Sequence, residues 1–173
     1  MKNSKWHFFI LLVTVLLLQF TIFNHVGIGG FANPYLYLIF LLLLPIDVNG
    51  IFLLLSAFGL GFAMDVFSNS QGLHTTASLV MAFCRPGVLQ LLIQRPDLDP
   101  GLLPLPSTRG NAWVITYVII MVTIHHVLLY FLDVFHFATF FRTMIKAIVS
   151  SGATTMIILL TIYLIDKPSK VYR

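Results

Sequence analysis

The chain has 173 residues, 58% of them hydrophobic and only 9% charged, with a formal net charge of +4 and no glutamate. Soluble domains carry roughly 25% charged residues, so a surface this poor in charge excludes a water-facing globular domain. The cations lie at the ends of apolar runs, the pattern that orients a membrane protein, and not in a patch suited to nucleic acid.

The first apolar run, residues 6–23, has a basic start but no small-residue cleavage site after it, so it reads as a retained first helix. Its length is about 27 Å as a helix, enough for a thin hydrocarbon core. A polar, glycine-rich turn follows at 24–33. Segment two is expected over 34–47, with Asn33 as cap and Pro34 at the first helical position. Segment three runs over 50–67, and 68–72 is a short polar turn. Segment four covers 73–93, interrupted by Arg85-Pro86. A long connection with four prolines occupies 94–110. Segments five and six cover 111–132 and 138–165, and a polar, basic tail ends the chain. Pro45 and Pro86 each remove a backbone donor that lipid cannot replace, which leaves segment four either ending near Arg85 or kinking through Pro86.

The segments describe an all-α, single-domain polytopic membrane protein over 1–173, a bundle of about six transmembrane helices. With the N-terminus in the cytoplasm, Lys2, Lys5, Arg95, Arg109, Lys167, Lys170 and Arg173 all fall inside, and the outer turns hold no lysine or arginine. Six spans return the C-terminus to the same side. The lone cysteine, Cys84, allows no internal disulfide.

Ionisable residues inside a membrane are candidates for function. Here they are Asp65, Arg85, His125, His126, Arg142 and Lys146. Arg142 and Lys146 stand at i, i+4 on one helical face, at a depth matching Asp65. A pair or triad between them would fix helix register or form a ligand site. The local alternative has Asp65 accepting from turn amides over 68–72. His125 and His126 point about 100° apart and cannot hold one metal from one face; interhelical hydrogen bonding is expected instead. Ala57 with Gly61, and Gly59 with Ala63, form small-residue pairs in segment three. Ala147, Ser151 and Thr155 form a stripe in segment six, with Ser150 and Thr154 beside it. Such stripes permit close helix approach. No phosphate loop, nucleophile elbow, metal-ligand cluster or carboxylate dyad is present, so neither cofactor nor metal is expected, and no enzymatic activity.

Residues 31–83 resemble the rod shape-determining protein MreD family. The resemblance is carried by Asn33-Pro34, Gly50, Gly59, Gly61, Asp65, Phe67-Ser68 and Gly72 in their order along the chain. The second half resembles the family in hydropathy alone. Asp47 and Asn49 stand where members often have a basic residue, and Arg85 stands at a place usually apolar. The resemblance implies a non-catalytic multi-pass protein of the bacterial inner membrane. Its partners would be an MreC-like bitopic scaffold and, through it, the cell-wall glycosyltransferase and transpeptidase. It also implies a fold similar to the substrate-binding subunit of energy-coupling-factor transporters. From that comes an alternative function, a vitamin-type small-molecule binding subunit with a pocket at the outer face among segments three, five and six. Pro34, Gly50, Gly59, Gly61, Asp65, Gly72, Arg142 and Lys146 are the structural and partner-contact candidates.

Overall fold

The computed structural model of the chain describes residues 5–24, 33–93, 101–134 and 140–166. Its elements are α1 (Lys5–Leu18), which continues into a π-helical turn (Gln19–Phe23), α2 (Leu38–Leu43), α3 (Gly50–Ser68), α4 (Leu73–Leu92), α5 (Pro106–Arg109), α6 (Asn111–Val134) and α7 (Phe140–Ile165). The described residues contain no strand. Helices α3, α4, α6 and α7 are long and apolar enough to cross a membrane, and Phe8–Phe23 is a shorter apolar helix. Lys2, Arg95, Lys167, Lys170 and Arg173, on which the orientation rests, lie outside the described residues, as do 25–32 of the first outer turn and Ala138.

Local chemistry sets the helix ends. Asn49 caps α3: its side-chain oxygen accepts from the amides of Ile51 at 2.9 Å and Phe52 at 3.4 Å. Asn69 ends α3 in the left-handed region at φ 53, and Gly72 precedes α4 at φ 88, a conformation a glycine adopts without a Cβ clash. Helix α4 runs unbroken through Pro86, so the proline lies inside a span and does not end it. The residue before it, Arg85, donates from Nε to the Tyr117 hydroxyl on α6 at 2.8 Å, which ties the weakened turn to its neighbour.

The long helices pack as a row, α3 on α4, α4 on α6 and α6 on α7. Gly61 is the contact point between α3 and α4. A Cβ there would lie 2.5 Å from Thr75 Cα and 2.8 Å from the His74 carbonyl oxygen. Gly59 differs: it is exposed, and a Cβ would meet nothing within 4 Å. The Ala57–Gly61 pair therefore faces the bundle, while Gly59 faces out of it. On α7 the inward stripe is Ala147, Ser150, Ser151 and Thr154.

Segment two departs most from expectation. Only Leu38–Leu43 is helical, a length of about 9 Å, too short for a spanning helix. The helix begins four residues after Pro34 and stops one residue before Leu44, which is extended at ψ 147. Leu44 precedes Pro45, and a residue before proline is driven away from helical geometry. Every residue from Pro34 to Leu44 is nonetheless buried. This segment is the centre of the bundle, touching α1, α3 and α6.

Candidate functional site

A short helix with extended flanks leaves backbone groups without helical partners. At membrane depth such groups must be satisfied from within the protein. Here polar side chains of the surrounding helices do so at both ends of α2.

At the first end, Gln19 from the π-helical turn bridges the stretch leading into the helix. Its Nε2 donates to the Pro34 carbonyl at 3.3 Å, and its Oε1 accepts from the Tyr37 amide at 3.3 Å. Gln19 is fully buried. Two hydroxyls on α7 complete the set: Thr154 accepts from the Tyr35 amide at 3.0 Å and Ser150 from the Asn33 amide at 3.3 Å. The Tyr130 hydroxyl bonds Ser150 at 2.7 Å.

At the second end lies Arg85, 1% exposed. Its guanidinium donates to the Leu44 carbonyl at 2.5 Å and the Pro45 carbonyl at 3.3 Å, and Tyr117 donates to the Leu42 carbonyl at 3.3 Å. Among the described residues no carboxylate takes part. The cation sits instead at a helix C-terminus, where unpaired carbonyls concentrate partial negative charge.

Just before α2, Tyr37 bonds two further helices, α4 and α6. Its hydroxyl lies 2.7 Å from His125 Nε2, 3.1 Å from Ser78 Oγ and 3.4 Å from His74 Nδ1. A phenol can donate one hydrogen bond and accept two, so three neighbours use its full capacity. Tyr35 packs among the rings of His74, His125 and His126, with centroids 4.9, 6.1 and 5.4 Å away. His126 bonds Thr154 at 3.0 Å and the Val122 carbonyl at 2.9 Å. Both adjacent histidines thus make interhelical bonds in different directions. The described histidines, cysteine and carboxylates form no group of three suited to a metal ion.

Asp65 is not paired with Arg142 or Lys146. Its carboxylate accepts from Ser70 Oγ at 2.6 Å, the His74 amide at 2.9 Å, and the amide and hydroxyl of Thr75 at 2.9 and 2.5 Å. The cap position of α4 is Gly72, which has no side chain. Asp65 reaches over from the end of α3 and supplies the missing cap. The expectation of turn amides over 68–72 was close in place, but the amides used are those of the first helical turn. Arg142 is exposed and Lys146 half-buried on α7. Helices α3 and α7 occupy opposite ends of the helix row, which keeps these cations from the carboxylate.

The remaining sequence candidates divide by place. Gly61, Asp65 and Gly72 meet in the α3–α4 joint, and Pro34 offers its carbonyl to Gln19. Gly50 opens α3, with open space around it. Gln19, Tyr37, Ser78 and Tyr117 were not singled out from sequence, although a lone amide or phenol in an apolar run is itself a signal of a polar contact between helices.

Beside this network a cleft of about 520 Å³ opens at the bundle end where α6 finishes. Phe20, Phe23, Phe67, Tyr35 and Tyr130 give it aromatic walls, and Asn24, Asn33, Ser70, His74 and Asp133 give it polar groups. Phe20 and Phe67 form one wall, with ring centroids 4.0 Å apart. Of the expected pocket among segments three, five and six, the described lining takes residues from segments three and five and none from segment six; others come from the π-helical turn, α4 and the stretch before α2. Compared with family models, curated proteins and solved structures, the chain matches none.

Proposed function

We propose that this chain is a non-catalytic, multi-pass component of the bacterial cell-wall elongation machinery. In this reading it docks the membrane helix of an MreC-like scaffold and so helps position peptidoglycan synthases. It lies in the inner membrane with both termini cytoplasmic and crosses six times, the passage through α2 being a broken one. The fold is that of a small helical bundle similar to the substrate-binding subunit of energy-coupling-factor transporters.

The observation that carries the reading is how the polar residues within the spans are used. Gln19, Arg85, Tyr117, Ser150 and Thr154 bond the backbone of the segment around α2, and Asp65 caps α4. These groups hold a shape, and a rigid shape is what helix docking in lipid requires, since lipid tails are as apolar as the side chains. The resembling motif supports the same reading, because its Gly61, Asp65 and Gly72 all serve one joint. Depleting the chain from its native cell and following cell shape tests it: rounded cells and a scaffold that no longer recovers the synthases are expected.

A second reading, a small-molecule binding subunit, is favoured by the cleft, whose volume falls within the roughly 300–1,000 Å³ typical of ligand sites. A transport assay in membranes separates the two: the docking reading expects no uptake that depends on this chain.

A further inference from the structure

The cleft has a charge character of its own. Asp133 is the one formally charged side chain in its described lining, which includes no lysine or arginine. Unlike Asp65, whose carboxylate has four donors, Asp133 accepts no hydrogen bond among the described residues. It is exposed at the rim. The rings of Tyr35, Tyr130, Phe20 and Phe67 share the lining with it. Aromatic faces carry negative potential and attract cations within about 6 Å. An anion would meet no counter-charge from this lining, and a neutral ligand would leave the carboxylate unused.

We propose that this cleft binds an organic cation, an ammonium or amidinium group on an apolar body, with Asp133 as its counter-charge and the aromatic rings as its wall. The charged head sits at the rim and the apolar body enters toward Tyr35 and Leu129. A free small molecule and a basic side chain of a docked partner present the same chemistry. The inference rests on the cleft that also favours the binding-subunit reading, and it does not depend on the docking reading.

The test is equilibrium binding of benzyltrimethylammonium to the full-length chain in phosphatidylcholine nanodiscs. Neopentylbenzene serves as neutral isostere and benzenesulfonate as anion. Saturable binding of the cation is expected, with the other two much weaker. Asp133→Asn, which leaves the aromatic wall in place, is expected to weaken it about two- to fivefold, the range that loss of one exposed charge contact gives. Phe67→Leu, at a residue 66% exposed, is expected to weaken it several-fold and guards against misfolding of the first variant. Asp47→Asn, at the opposite end of the bundle, is expected to change nothing. Equal binding of cation and isostere, or equal affinity in Asp133→Asn and the parent, overturns the proposal. So does the absence of saturation at millimolar probe. Displacement of the probe by the scaffold assigns the natural cation to a partner side chain, and simultaneous binding assigns it to a free molecule; the proposal holds under either result. Its failure would leave the docking reading intact, because docking is read from partner recovery and not from probe binding.

Discussion

Gly61 and Thr75 stand so close that a single added carbon on Gly61 would come within 2.5 Å of the Thr75 Cα. The obstacle is backbone on the far side, not a flexible side-chain tip, so α3 and α4 can relieve it only by moving apart. Two glycines separated by one residue therefore have opposite expectations.

Gly61→Leu is expected to destabilise the bundle by at least the ~1–3 kcal/mol usual for overpacking. Gly59→Leu is expected to leave stability within ~0.5 kcal/mol, as for surface changes generally, because open space surrounds Gly59. Thermal unfolding of the detergent-purified variants, followed by size-exclusion fluorescence, checks both. An equal loss in the two would mean that the outward face of α3 is packed.

Asp65→Asn is expected to cost about 1–3 kcal/mol, the scale of leaving buried donors unmatched. An asparagine keeps one acceptor oxygen, while the donors lie on both carboxylate oxygens. The loss is expected to be independent of the cations. A double-mutant cycle of Asp65→Asn with Arg142→Gln should therefore be additive within about 0.5 kcal/mol. Coupling beyond that would restore the ion pair that the geometry lacks.

Arg85→Met removes the donors from the Leu44 and Pro45 carbonyls. About 1–3 kcal/mol is expected for each buried acceptor left bare. Arg85→Lys should recover only part of this, since an ammonium cannot span two carbonyls and a phenol as the planar guanidinium does. Unfolding midpoints of the three proteins order them. A lysine variant as stable as the parent would show that charge alone is needed at the end of α2.

The four long helices were legible in the sequence as apolar runs, and three of them begin where local chemistry marks a start: Asn49 before Gly50, Gly72 before Leu73, Gly110 before Asn111. Segment two was not legible as a broken helix. Its run of leucines looks the same whether helical or extended, and the groups that allow it to be irregular come from Gln19, Arg85, Tyr117 and Thr154, all remote in sequence. Pro45 was the one local sign. The candidate site was half legible. Asp65 stood out as a charge in an apolar run, but its partner could not be read, because helical spacing places Arg142 and Lys146 on one face without saying which helix lies opposite. The cleft left no local trace, since its walls come from five separate stretches of chain.

In the proposed function the chain docks a partner's membrane helix and does not turn over a substrate. Gly59 and Gly152 are exposed with open space around them, so leucine at either adds bulk to an outward face of α3 or α7 without disturbing the core. The most direct measurement captures the tagged full-length chain from its native membrane and quantifies the bitopic scaffold that follows, for the parent, Gly59→Leu, Gly152→Leu and His126→Gln, with cell shape scored alongside. At least one of the bulky variants is expected to fold normally yet lose the scaffold and round the cells, while His126→Gln retains both partner and rod shape. Full scaffold recovery from both bulky variants, or rounded cells from His126→Gln with its complex intact, would contradict it.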